Sequence, residues 1–175
     1  MSEDLRYPIG KFAFDAATAA AERSHWILDI TRLPGELEAV LDGLDDSQLD
    51  TPYRPDGWTV RQLVHHIADS HVNAYIRIRL ALTEDAPSVK GYDEKKWAEL
   101  ADSLTAPLEP SLQIIDGIHS RWATLLRHLK PEDFQRTLVH PQSGVGTVEK
   151  YTGLYAWHGR HHVAHIRNLK QRMGW

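Results

Sequence analysis

The sequence predicts an all-α protein: a four-helix bundle with an extra short helix and irregular connections. Three observations lead there. Four long stretches carry apolar residues at every third or fourth position, the stepping of an amphipathic helix. The segments between them are rich in Pro, Gly and Asp. No segment repeats at a fixed period, and the 175 residues suit one domain spanning 1–175.

Residues 1–14 carry the turn signal YPIG and little periodicity, so they read as an extended lead-in. From Asp15 to Leu44 the pattern is helical, with Trp26, Ile30, Leu33, Leu37 and Leu41 in step. Pro34 lies inside this run and either kinks the helix or opens a second one. DDSQLDTPYRPDGW is a loop with a short helical turn at 46–49. Thr59 and Gln62 form a capping box that starts the next helix, whose apolar face runs from Val60 through Ile67, His71 and Ile78 to about Thr83. After the loop EDAPSVKG, Tyr92 to Ser103 reads as a shorter helix carrying Trp97 and Leu100. Ser111 to Lys130 is a third long helix, with Ile115, Ile118, Trp122, Leu125 and Leu129 in step, and Pro131 follows it. Residues 135–147 suggest a loop or a small hairpin. The fourth long helix starts near Val148.

Composition narrows the function classes. A net charge of −4 gives no basic field for nucleic acid. No apolar run approaches the roughly 20 residues that cross a bilayer, and MSEDLRYPIG has no secretory signal pattern, so a cytoplasmic protein is expected. Cysteine is absent, which removes disulfides, thiolate ligands and a cysteine nucleophile together. Any metal must sit on nitrogen and oxygen, and any thiol must arrive with a substrate.

The eleven histidines cluster, and the last helix shows why that matters. Its apolar stripe runs through Tyr151, Tyr155, Ile166, Leu169 and Met173, and positions 158 and 162 continue it. Both are histidine. Four residues apart on one face, their imidazoles can converge on a single cation. A lone histidine on such a stripe is ordinarily a satisfied core residue; two would each need a buried partner, and a metal supplies both. A catalytic site of this type uses three protein ligands and one open position. His65 and His66 on the second long helix are the candidates for the third, and both flank its apolar face. Asp69, four residues after His65, can pair with it on the outer surface, which favours His66. His161 and His165 lie off the stripe centre. His71 sits on a core face, as a structural residue or a support to a ligand, while His25, His119, His128 and His140 are single. Trp157, Tyr155 and Tyr75 are candidates to line a pocket or to pack.

The blocks WTVRQLVHHIADSHVNAYIRIR, LTEDAP, YDEKKWAEL, HSRWATLLR, YAWHGRHHVAHI and RMGW resemble the YfiT-type metal-dependent hydrolases of the DinB/YfiT-like superfamily. The likeness runs from YPIG to Trp175, and the paired blocks VHHIADSH and WHGRHHVAH are its specific part. The resemblance implies one divalent ion per chain, Zn2+ or Ni2+, held by His66, His158 and His162, and a homodimer. It settles His66 over His65. The function it implies is hydrolysis of a small molecule by activated water or a polarised carbonyl, with no side chain assigned as catalytic acid or base. Relatives in this superfamily also imply one alternative, a metal-dependent transferase of low-molecular-weight thiols such as bacillithiol; a non-catalytic metal-binding or dimeric interaction protein is a further alternative, favoured if protein fills the fourth coordination position. The second ring nitrogen of each ligand is expected to meet a carboxylate, carbonyl, hydroxyl or water. No phosphate cradle, nucleophile elbow or dinucleotide fingerprint is present to name a substrate.

Overall fold

The computed structural model describes residues 5–175. The first four residues of the expected lead-in lie outside that range. Four long helices make the bundle: α1 (Ala19–Leu41), α3 (Val60–Thr83), α6 (Glu109–His128) and α7 (Val148–Met173). Between them come α2 (Asp46–Leu49), α4 (Glu94–Ala98), α5 (Ala101–Thr105), a 3-10 turn at Asp133–Gln135, and a hairpin of β1 (Thr137–His140) and β2 (Gly144–Thr147). The strands pair antiparallel, with Thr137 opposite Thr147 and His140 opposite Gly144. α1 packs on α6 and α7, and α3 packs on the same two from the other side, so α1 and α3 lie on a diagonal. No helix among the described residues is long and apolar enough to cross a membrane.

Local chemistry sets the helix starts. Thr59 accepts from the Gln62 amide at 3.1 Å while the Gln62 side chain accepts from the Thr59 amide at 2.9 Å. Asp45 and Gln48 repeat the arrangement at α2, with both bonds at 2.9 Å. The buried Arg61 then ties α2 to α3 through Asp50 at 2.7 Å and Asp46 at 2.9 Å. Thr147 caps α7, and Gly174, at φ 73°, ends it in the left-handed conformation.

Three expectations change. Of the two alternatives at Pro34, a second helix is excluded, because α1 runs unbroken from Ala19 to Leu41 with the proline inside it. Tyr92–Ser103 is two short helices, so the bundle carries three short helices instead of one. A single helix would place residues five apart ~140° from each other, yet Ala98 and Ser103 are both buried and α4 and α5 both pack on α3. The extended backbone at Leu100, with ψ 153°, lets both face α3. Met173, expected on the apolar stripe, is 52% exposed, because the last turn of α7 runs beyond the core.

Two apolar clusters fill the bundle, one around Ile30, Ile78, Trp122 and Phe134, the other around Leu37, Leu63, Ile67, Ile115 and Ile166. α1 and α7 approach closely because α7 presents glycine where α1 presents bulk. A Cβ at Gly159 would stand 2.7 Å from Leu33, and one at Gly153 would stand 3.1 Å from Trp26. Leu33 is itself buried, so it has little room to withdraw. Gly159→Ala should therefore destabilise the protein by about 1–3 kcal/mol, despite the better helix propensity of alanine. Urea denaturation at equal protein concentration measures this, and an unchanged or raised midpoint would refute the close-packing argument.

Candidate metal centre

His66 on α3 and His158 and His162 on α7 face one another across the α3–α7 seam. His66 Nε2 lies 3.4 Å from His158 Nε2, and His162 Nε2 lies 3.1 Å from the same atom. One ligating nitrogen from each ring falls within 4.8 Å of the other two. Three nitrogens bound tetrahedrally at roughly 2.0–2.1 Å from one ion lie about 3.3–3.4 Å apart, so these residues fit a cation of that type. Burial keeps the rings neutral, as ligands must be. It pushes the His66 pKa down to about 4 and those of His158 and His162 well below the ordinary range, with neighbouring histidines adding to the effect on the last two.

Two histidines stand in line behind His158. His158 Nδ1 is 3.0 Å from His71 Nε2, His71 Nδ1 is 2.8 Å from His119 Nε2, and His119 Nδ1 is 2.6 Å from the Ile30 carbonyl oxygen. His71 and His119 are fully buried, and burial holds His119 down to about 4 and His71 well below its usual value. Neutral rings carry one proton each, and a carbonyl can only accept. His119 must therefore donate from Nδ1 to Ile30, which leaves its Nε2 to accept from His71 Nδ1. His71 Nε2 then accepts from His158 Nδ1. The lone pair of His158 is left on Nε2, aimed at His66 and His162.

The Ile30 carbonyl is free for this duty because of Pro34. Residue 34 would ordinarily supply the N–H that bonds residue 30 within the helix, and proline has none. His119 takes the vacated place.

The other two rings are held differently. Trp58 stands against His66 with ring centroids 4.7 Å apart. His162 Nδ1 is buried and meets no protein group. His158 does have a partner, but it is a histidine, outside the groups expected. His65 points away from the centre. It is buried, with Nδ1 2.8 Å from Ser111 Oγ and Nε2 3.3 Å from the Ala106 carbonyl, and makes no surface pair with Asp69.

The sequence reading passed over His119 and left the role of His71 open. Their contacts span 48 and 89 positions of sequence, and no local pattern reports them. It also set aside His161 and His165, which are buried with their Nε2 atoms 3.1 Å apart and form a second close group with His162. That group suits a cation less well. Arg54 and Arg172 bear on His165, and their charge, after burial and His161, pushes its pKa down to about 3. Trp157 stacks on His161 at 4.4 Å, and Tyr53 lies 4.3 Å from His165.

Two cavities flank the centre and both reach His158. One, of about 460 Å3, is walled by Tyr155, Ser70, Arg77 and Tyr92. The other, of about 610 Å3, is walled by Trp58, Trp157, Tyr53 and Arg54. Tyr155 and Trp157 thus line space, while Tyr75 packs in the core.

The sequence pattern of the DinB superfamily matches residues 29–166. A "putative metal-dependent hydrolase" of Bacillus mycoides (strain KBAB4) is 51% identical over 173 residues, 99% of each chain. One from Oceanobacillus iheyensis is 51% identical over 170 residues, 97% of this chain and 98% of its own. The solved structure of YfiT from Bacillus subtilis, described as a probable metal-dependent hydrolase with an unusual four-helix bundle topology, superposes with a TM-score of 0.95. It is 47% identical and covers 98% of this chain and 99% of that one.

Two outcomes follow from the buried rings. Nitrogen-15 spectra at neutral pH should show His71, His119 and His158 all as Nδ1–H tautomers; His119→Leu should release that lock and weaken zinc binding by about 10-fold or more. His119→Gln, whose side-chain carbonyl can accept from His71, should recover most of the loss. An Nε2–H signal from His158 in the metal-free protein would break the chain as assigned. The second outcome concerns pH. The folded pKa values lie below the unfolded value of 6.5, so the unfolded chain binds protons first as pH falls. The resulting stability is fully present above about pH 6.5 and lost progressively towards pH 4. Denaturation midpoints of the metal-free protein should drop between pH 7.5 and 5; equal midpoints would mean that the rings titrate normally.

Proposed function

The chain belongs to the DinB superfamily, and on that premise we propose that it is a metal-dependent hydrolase with one divalent ion on His66, His158 and His162. The convergence of three neutral rings carries this reading: the Nε2 atoms of His66 and His162 lie 3.4 and 3.1 Å from that of His158, and one nitrogen of each ring lies within 4.8 Å of the other two. The relatives named as metal-dependent hydrolases support it. Three imidazoles suit either zinc or nickel, and the ion belongs at the wall of the larger cavity, which all three histidines line.

A divalent ion held there supplies Lewis acidity, polarising a carbonyl and lowering the pKa of water. The protein's own groups do the rest. Neutral ligands leave the full charge of the cation available. The histidine chain holds the His158 lone pair in one direction. Trp58 and Tyr155 wall the centre on either cavity side and limit the water that reaches it. The Tyr155 phenol stays protonated, because burial raises its pKa, and it can donate a hydrogen bond into the smaller cavity. The substrate is a small molecule, consistent with these volumes. A homodimer remains part of the proposal, and the exposed Ile76, Trp97, Leu100 and Ile114 provide an apolar face for such a contact.

His158→Ala should lose metal and hydrolytic turnover while keeping its helical content, since the core around it is large enough to fold without the ion. Metal content by mass spectrometry, circular dichroism and turnover on ester and amide panels give the comparison. Retention of a full equivalent of tightly bound zinc by His158→Ala would end the assignment. Turnover that appears only when a thiol is added would move the protein to the thiol-transferase alternative.

A further inference from the structure

The smaller cavity contains a charge that the metal reading does not use. Arg77 on α3 is 6% exposed and lines it together with Tyr155, Tyr92 and Ser70. A guanidinium keeps its charge in any setting and presents five donors. One of them, on Nη2, bonds the Lys90 carbonyl at 2.7 Å. No carboxylate among the described residues lies within ion-pair distance of Arg77. Buried arginines are ordinarily paired, because an uncompensated charge away from water is costly. Among the described residues this one meets only neutral groups, the Lys90 carbonyl, the Tyr155 hydroxyl and the Tyr92 ring at 5.9 Å, and it lines the cavity.

Its neighbours register it. Arg77 opposes the upward push of burial on the Tyr155 phenol, and its charge adds to burial in lowering the pKa of His140, which lines the same cavity. Ser70 Oγ lies 3.4 Å from the Tyr155 hydroxyl, so hydroxyl donors stand beside the guanidinium. The Tyr155 ring in turn lies 5.5 Å from the ring of His158. One tyrosine side chain therefore separates Arg77 from the metal ligand. The remaining charges at the rim, Lys95 against Asp93 and Glu94, are all exposed. Arg77 is the one buried cation of the cavity.

We propose that this cavity is an anion subsite in which Arg77 binds a carboxylate carried by the substrate, beside the ion on His66, His158 and His162. The assignment rests on the metal reading for the position of the reacting bond, but not for the binding of the anion. A single buried positive charge matches a monoanionic carboxylate, which a guanidinium can bind through two parallel hydrogen bonds. A phosphate dianion would call for a second cation, and the exposed Lys95 is offset by two acidic neighbours.

The test uses the full-length protein, metal-free and zinc-loaded, titrated with monomethyl succinate and with its neutral counterpart dimethyl succinate. Binding is followed by chemical-shift changes. Metal-free wild type should bind the monoanion about tenfold more tightly than the diester, and added salt should narrow that margin. Arg77→Gln should abolish the preference while retaining zinc uptake and helical content. A purely structural role, holding the Lys90 loop, would weaken both ligands alike. Absence of a preference in metal-free wild type overturns the proposal without any variant, as does a preference that survives in Arg77→Gln. Tighter binding of methyl phosphate than of monomethyl succinate would overturn the choice of carboxylate. Failure to take up zinc, read in the same samples, would refute the metal centre and leave the anion result standing.

Discussion

The candidate site depends on one missing hydrogen bond. Pro34, in the middle of α1, cannot donate to the Ile30 carbonyl, and a buried carbonyl without a donor is costly. His119 supplies the donor from α6 at 2.6 Å, and that choice fixes the tautomer of every ring behind it. Order passes from an α1 carbonyl through α6 and α3 to His158 on α7, so all four long helices contribute to the direction of one lone pair. The chain ends in a carbonyl that can neither release nor take up a proton. It is built for orientation; a proton entering from His158 would have nowhere to go.

Holding so many imidazoles in a bundle interior is unfavourable unless they stay neutral and satisfied. The histidine chain achieves both for three of them. His66 and His162 are less well provided by the protein: Trp58 covers one, and Nδ1 of the other meets no protein group. In the metal-free protein His158 Nε2 can accept only one good hydrogen bond, although two nitrogens face it. A cation held there would resolve that competition, since all three rings could turn a lone pair to it. The close approach of α1 and α7 over Gly153 and Gly159 sits alongside and keeps the Ile30 end of the chain near the His158 end.

Much of this was legible in the sequence, for physical reasons that differ by element. Capping boxes and 3.6-residue periodicity are local, so the starts of α3 and α7 and the stripe carrying positions 158 and 162 could be read directly. The choice between His65 and His66 could not be made from a helical wheel, because both flank the apolar face; the pairing of His65 with Asp69 that favoured His66 is not formed. The histidine chain was out of reach, since each link joins residues far apart in sequence. Pro34 was visible, but its consequence was not. A mid-helix proline suggests a kink or a second helix start, and the effect seen here is a freed carbonyl. The split of Tyr92–Ser103 into two helices likewise follows from what α3 requires of Ala98 and Ser103.

Two groups of three histidines share His162, and tertiary context separates them. In the group with His66 and His158, one ring has its lone pair fixed inward by the bonded chain, and two cavities give access. In the group with His161 and His165, the two Nε2 atoms already face each other at 3.1 Å, two arginine charges bear on His165, Trp157 stacks on His161 and Tyr53 lies against His165. A cation entering the second group would break an existing hydrogen bond in a positive environment. One entering the first would relieve a conflict at His158. Residue type and spacing alone do not decide between the two groups, since His161 and His165 are four apart just as His158 and His162 are. What decides is which nitrogen already has a partner.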